Sequence, residues 1–355
     1  MQKKKVLFFV NSMGVGGAER VTITIAKMLN EDIFDISFVL VGRRVEKIKD
    51  FIPDKYACIH LKVFNIWCFS IFKMLRVIEI MNPDIVFSSQ TFINWRVLLA
   101  VWIKNRNIKT IIRSNCKAKE IKGLYKRMVS YTYPKATYLV MQTENMTEDF
   151  IDTFKLCRSQ VITMHNPLDT DIIESKLNGV GNPYCGKNKK IVWIGHYSYV
   201  KGVDILIKAF TKVINHKENL ELYLVGGYDE SDFYYRFVID WLKKYHLEQK
   251  VHILGYQDNP YKWIKYADVF VLSSRSEASP NVLFESLYLG TPVVVTQCTE
   301  NINFIVIQGK NGYIVPVDNA DELSQALLNV LQKGVKDVKL TYDLSTKEEW
   351  CRIFK

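Results

Sequence analysis

The stretch Lys190–Val225, KIVWIGHYSYVKGVDILIKAFTKVINHKENLELYLV, decides the fold. A short apolar run (Lys190–Ile194) enters a loop bracketed by Gly195 and Gly202. An amphipathic segment of helical length (Val203–Ile214) follows, and then a second apolar run (Leu220–Val225). Strand, helix and strand in that order predict a βαβ unit with parallel strands, covered on both faces. The alternation continues downstream. It predicts a helix at Phe233–Tyr245, strands near Val251–Leu254 and Val269–Leu272, a helix at Asn281–Leu289, a strand at Pro292–Thr296 and a long helix near Ala320–Gln332.

The same rhythm lies upstream. Strands are predicted at Lys5–Val10, Phe34–Val41, Ile85–Ser88, Ile108–Arg113, Thr137–Met141 and Gln160–Met164, with a helix near Ala18–Leu29 after the first and further helices between the others. The pattern breaks at His165–Lys190, where Pro167, Gly179, Gly181, Pro183 and Gly186 leave room only for a short helix at Asp169–Leu177. That segment reads as an interdomain linker. The fold class expected is α/β, with two Rossmann-like parallel-sheet domains facing a central cleft at their strand C-termini.

Composition fits a folded protein, with 48% hydrophobic and 24% charged residues in 355. Seven dispersed cysteines, without a C-x-x-C pair, argue against a disulfide framework or thiolate metal site and for a reducing cytoplasm. The N-terminal apolar run stops at Asn11, too short for a signal peptide, and no stretch is long enough to span a bilayer. The net charge of +11 is unevenly placed. Residues 1–168 hold 26 Lys and Arg against 14 Asp and Glu, whereas residues 169–355 hold 22 against 23. A basic half of this kind suits nucleic acid or an anionic membrane surface.

Three segments carry chemistry. Gly14-Val15-Gly16-Gly17-Ala18-Glu19-Arg20 joins the first strand to a helix, where glycines allow close backbone approach and a helix N-terminus favours an anion. A dehydrogenase fingerprint fails here. Its third glycine is Glu19, and strand two ends in Gly42-Arg43-Arg44 rather than an acid. Gly195-His196-Tyr197-Ser198-Tyr199-Val200-Lys201-Gly202 is the equivalent loop of the second half, with Lys201 able to act as a point charge on a diphosphate. A ligand-free turn and a solvated lysine explain these two segments equally well in isolation. The third run, Ser273–Glu285, ends a strand, turns and opens a helix at Pro280. It places Glu277 in the turn and Glu285 one helical turn in, and the amides of Asn281, Val282 and Leu283 are expected as free donors.

Taken together, these segments resemble glycosyltransferase family 4, the retaining enzymes of GT-B architecture. Glu277 and Glu285 match its E-x7-E pair, and Ser273–Thr296 matches nearly throughout. Lys201-Gly202-Val203-Asp204 matches its diphosphate loop, His165–Asp169 its interdomain segment, Gly309–Gly312 its late loop, and Gly14–Arg20 a Gly-Gly-Ala-Glu-Arg variant of the first loop seen in capsule and O-antigen type enzymes. The chain departs from the family in three places. His196 stands where an arginine is usual, Phe304 where an acid is usual, and Arg113-Ser114-Asn115 where a histidine is common.

The resemblance implies roles. Glu277 and Lys201 are the catalytic pair, with Glu277 facing the transferred sugar and Lys201, with His196, on the diphosphate. Glu285 binds the ribose. Gly16, Gly17, Gly195, Tyr256, Ser279, Asn281, Val282 and Leu283 complete the donor set, while Gly14, Asn94, Arg113 and Asn115 lie on the acceptor side. No metal or cofactor is implied, since Lys201 and helix dipoles replace a cation. Residues 1–168 become the acceptor domain, with a tail of about 340–355 expected to pack back on it, and 169–339 the donor domain. The reaction implied moves a hexose or N-acetylhexosamine from a nucleotide-sugar, expected to be a UDP-sugar, to a saccharide acceptor linked to polyprenyl diphosphate, in bacterial capsule, O-antigen or lipopolysaccharide synthesis.

Between Lys104 and Lys135 stand ten basic residues and one acid, Glu120. A helix predicted at Lys119–Tyr133 puts Lys119, Lys122 and Lys126 on one face, beside Leu124, Tyr125, Met128, Tyr131 and Tyr133. This suits a helix lying on an anionic membrane. The expected protein is cytoplasmic, peripheral on the inner face of the membrane, and a monomer or weak dimer. The alternatives are an epimerase or sugar phosphorylase of the same fold, or a nucleic-acid-binding protein. The last lacks any supporting motif.

Overall fold

The computed structural model describes residues 2–11, 16–42, 46–49, 51–62, 69–104, 107–216 and 219–355. Gly14, Val15, Arg43, Arg44, Cys68 and Arg106 lie outside them. The chain divides into two compact units, residues 1–168 with 344–355, and residues 169–343.

Among the described residues, the first unit holds strands Lys4–Asn11 (β1), Phe34–Gly42 (β2), Ala57–Lys62 (β3), Ile85–Ser88 (β4), Lys109–Arg113 (β5), Tyr138–Met141 (β6) and Val161–Thr163 (β7). The second holds Lys189–Ile194 (β8), Leu220–Val225 (β9), Val251–Gly255 (β10), Val269–Leu272 (β11), Val293–Thr296 (β12) and Gly312–Val315 (β13). Their orders are β3-β2-β1-β4-β5-β6-β7 and β10-β9-β8-β11-β12-β13, with every pairing parallel. Both are the doubly wound order, whose switch points fall between β1 and β4 and between β8 and β11. The chain therefore carries the two Rossmann-like α/β units of the GT-B architecture.

Burial on both faces explains the continuous apolar strands. In β1, Val6, Phe8 and Val10 enter one core cluster while Leu7 and Phe9 enter another, as a period of two requires. Strands β3 and β13 escape sequence detection. Ala57 and Cys58 are exposed on β3, and the middle residues of β13, Tyr313 and Ile314, are only partly buried.

One sequence expectation is corrected. The helix expected at Lys119–Tyr133 is broken into a 3-10 turn Ala118–Glu120 and a helix Gly123–Thr132, with Lys122 as N-cap in extended backbone and Gly123 at φ +58°. Lys119, Lys122 and Lys126 thus share no continuous helical face, and Tyr133 is fully buried. The boundary between the units falls inside the segment expected as a linker, and residues 169–190 pack within the second unit. Lys176 donates to the Asp258 carbonyl, Asn259 Nδ2 to the Lys176 carbonyl (2.6 Å) and Tyr266 Oη to that of Val180 (3.2 Å). Residues 344–355, from the tail expected to pack back on the first unit, belong to that unit, and a helix at Lys347–Phe354, which sequence did not predict, buries Trp350, Ile353 and Phe354 in its core.

Candidate active site

The loops after β8 and β11 flank the switch point of the second unit, where strand C-termini in such a sheet meet a ligand. They are stitched together over residues 199–202 and 273–275. Arg275 N donates to the Val200 carbonyl (2.7 Å) and Ser273 Oγ to that of Lys201 (3.1 Å). Gly202 sits at φ +63° with Ser273 O only 2.0 Å from where a Cβ would stand. That backbone region favours glycine, and the carbonyl so close to it leaves no room for a side chain.

The stitching sets the charged pair. Lys201 Nζ lies 2.6 Å from Glu277 Oε1, and Ser274 Oγ donates to the same oxygen at 2.7 Å. The Glu277 amide donates to the Cys298 carbonyl (3.0 Å), tying the turn to the segment after β12. The Cys298 thiol is buried, and burial together with the nearby Glu277 carboxylate pushes it up to about 12, so it stays protonated. The Glu277 side chain is 13% exposed and that of Lys201 33%. The loop thus keeps one partly open cation against one shielded carboxylate.

His196, exposed after β8, places Nδ1 2.8 Å from the Gly227 carbonyl. A protonated Nδ1 donating there leaves Nε2 as the ring's other polar atom. Gly195 N donates to the Val225 carbonyl (3.0 Å). Tyr256 follows β10 and is exposed, and Ser279 lies half-buried before the helix Asn281–Tyr288. That helix begins after Pro280, with Glu285 buried on its second turn. The expectation of three free amides is corrected at Leu283. Its N–H donates to the Pro280 carbonyl (3.0 Å), and its side chain is fully buried. The first turn closes on itself there.

The remaining candidates belong to the first unit. Gly16 caps the helix Gly17–Met28, and its amide donates to Glu19 Oε2 (3.1 Å). Burial raises the Glu19 carboxyl above its ordinary value, while its bonds from Gln90 and the Gly16 amide oppose the rise. Asn94 and Arg113, expected on the acceptor side, lie in the interior of the first unit. Asn94 is fully buried. It accepts from Ser88 Oγ (2.7 Å) and Gln90 N (3.0 Å), and it donates to the Arg113 carbonyl (3.0 Å) and Tyr133 Oη (3.1 Å). Arg113 is 1% exposed and donates through Nη2 to Asn166, while Nε and Nη1 find no hydrogen-bond partner among the described residues. Burial alone lowers its pKa to about 9. Asn115, half-buried after β5, reaches the surface. Among the described residues no group of three or more His, Cys, Asp or Glu is arranged to hold a metal ion, and no helix is long and apolar enough to cross a membrane.

Sequence reading singled out the loops but missed what Arg275, Asp204 and Cys298 do. Each finds its partner only through tertiary contact, Arg275 and Asp204 being 71 residues apart.

Both units of the chain are similar to known proteins. Residues 15–172 match Glycosyltransferase Family 4, and residues 188–333 match Glycosyl transferases group 1. The N-acetylgalactosamine-N,N'-diacetylbacillosaminyl-diphospho-undecaprenol 4-alpha-N-acetylgalactosaminyltransferase of Campylobacter jejuni is 25% identical over 349 residues, covering 93% of this chain and 90% of that protein. An amylovoran biosynthesis glycosyltransferase of Erwinia amylovora is 22% identical, with 92% and 90% covered. The Anabaena protein HepE, solved with UDP and glucose, superposes with a TM-score of 0.77 at 17% identity, covering 99% of this chain and 94% of that one. With a signature in each unit and relatives that span nearly its whole length, the chain belongs to the family 4, group 1 glycosyltransferases.

Proposed function

We propose that this glycosyltransferase is retaining and metal-independent. Its second unit binds a UDP-sugar, and it moves a hexose or N-acetylhexosamine to a saccharide carried on polyprenyl diphosphate, in bacterial surface polysaccharide synthesis. The observation that carries the reading is the Lys201–Glu277 pair at the β8/β11 switch point. Glycosyl transfer passes through an oxocarbenium-like state, and negative charge grows on the departing diphosphate. Fixed positive charge aimed at that diphosphate stabilises the transition state more than the ground state. Lys201 supplies that charge with His196 beside it in the arginine position, Glu277 faces the sugar, Glu285 holds the ribose, and no cation is needed. The lipid-linked acceptor is supported by what the Campylobacter relative is named for, and the uridine carrier by the UDP in the Anabaena structure.

The first unit takes the acceptor and rests on the inner face of the membrane. In support, Trp102 and Tyr131 are each 51% exposed, and Lys135 Nζ lies 3.6 Å from the Tyr131 ring centroid and 5.4 Å from that of Trp102. Aromatic rings beside lysine suit the headgroup region.

The test is calorimetric titration with UDP and with a panel of UDP-, GDP- and TDP-sugars, followed by turnover with the tightest donor in EDTA. Micromolar binding of a UDP-sugar and undiminished EDTA-treated activity are expected. Absence of binding by every nucleotide would refute the donor site, and abolition by EDTA would refute metal independence.

A further inference from the structure

Arg275 stands two residues before Glu277, yet it does not face outward with the charged pair. Its guanidinium grips Asp204 bidentately, Nη1 to Oδ1 at 2.9 Å and Nη2 to Oδ2 at 2.7 Å. Nε donates to Asp318 Oδ1 (2.6 Å), and Nη1 also reaches the Tyr199 carbonyl (2.6 Å). The guanidinium carbon lies 4.1 Å from the Tyr199 ring centroid. The side chains of Arg275 and Asp204 are 12% and 13% exposed. Asp318 holds φ +58°, an uncommon conformation for a residue with a side chain. One side chain thus gathers three segments distant in sequence: the Lys201 loop with the first turn of the helix Val203–His216, the Glu277 loop, and the turn before the helix Ala320–Lys333.

We infer that Arg275 is a positioning residue that fixes Lys201 against Glu277 and so presets the charge that meets the donor diphosphate. This rests on the donor-site reading above. It acts through others, because four of its five N–H donors go to Asp204, Asp318 and Tyr199. Lysine is no equivalent, since a point ammonium lacks the planar fork that holds a carboxylate at two points while stacking on a ring. A constellation held loosely by as little as an ångström loses on the order of 10²-fold in rate.

The experiment compares the parent with Arg275→Lys, Arg275→Met and the exchanged pair Asp204→Arg/Arg275→Asp. Three readouts are taken: thermal unfolding, hydrogen exchange of the ligand-free amides at residues 199–204, and UDP titration with steady-state kcat and KM. The expected result for Arg275→Met is faster exchange at 199–204, UDP binding weakened about 10-fold and kcat reduced 10- to 100-fold. Arg275→Lys should fall between Met and parent, and the exchanged pair should recover part of the loss. Unchanged exchange would overturn the clamp. Faster exchange with parental UDP affinity and kcat would overturn its bearing on the reaction. A uniform fall in thermal stability with parental kinetics in the folded fraction would reduce it to a staple and likewise overturn the inference. Failure of the parent itself to bind UDP would instead strike the donor-site reading, and the exchange data separate the two.

Discussion

Lys201 and Glu277 illustrate why residue identity matters more than charge count. At 2.6 Å the pair is held by a hydroxyl donor and by backbone ties on both loops, so the ammonium is positioned before any substrate arrives. Removing one preorganised donor from a developing anion typically costs 10²–10³-fold in rate. Lys201→Ala is expected to lower kcat by that order while leaving thermal stability within about 1 kcal/mol, the usual worth of a partly exposed ion pair. Parental kcat in this variant would remove Lys201 from the chemistry. Glu285→Ala is expected to weaken UDP binding at least tenfold, because a buried carboxylate recognising hydroxyls leaves them unpaired when lost; unchanged affinity would refute the ribose role.

Arg113 makes a prediction of opposite kind. A buried guanidinium without a carboxylate disfavours the folded state. Its pKa is about 9 when folded and ordinary when unfolded, so between those values the unfolded chain binds more protons. The penalty is full below pH 9 and fades as pH rises. Arg113→Met should therefore unfold at higher temperature than the parent at pH 7, by about 1 kcal/mol or more, with the difference shrinking at pH 10. A less stable variant at pH 7 would mean that the charge is compensated.

At the scale of elements, two glycines set the donor loops. Gly226, at φ +150°, lies where a Cβ would stand 1.7 Å from the Gly195 carbonyl oxygen, and Gly202 packs equally tightly on Ser273. Alanine at either position is expected to cost about 2–3 kcal/mol in chemical denaturation, whereas Gly181→Ala, with open space around it, should be nearly silent. The helix Lys347–Phe354 belongs to the first unit by packing, not by chain order. Phe354 stacks within 5.8 Å of Phe8 and 5.9 Å of Phe87, and Lys4 Nζ donates to the Lys355 carbonyl (2.8 Å). Phe354→Ala should destabilise the first unit by about 3–5 kcal/mol, read as a shift of its denaturation midpoint; an unchanged midpoint would show the helix to be dispensable.

At the scale of the whole molecule, charge asymmetry is the clearest global property, with the excess of Lys and Arg confined to residues 1–168. Vesicles containing anionic lipid should bind the protein far better than neutral ones at low salt. That preference should decline steeply by 0.5 M salt, as the screening length falls below the reach of surface charges. Equal binding to both vesicles would discard the membrane face. Breaking the basic segment at Gly123 spreads these charges over a turn and a shorter helix, so binding should fall gradually across single lysine substitutions rather than at one.

Alternation of apolar runs with amphipathic segments determined the two parallel sheets, because strands covered on both faces must be continuously apolar and their crossovers must be helical. Glycine and proline punctuation located the loops after β8 and β11, and the resemblance of Glu277 and Glu285 to the family's E-x7-E pair implied their roles. These are local signals, legible within about ten residues. Only the tertiary structure decided that Leu283 spends its amide on Pro280, that Asn94 and Arg113 face inward, that Trp350, Ile353 and Phe354 are what the tail buries in the first core, and that Arg275 binds Asp204 across 71 residues. Burial and charge pairing between distant segments are products of how the chain closes on itself, and no local pattern encodes them.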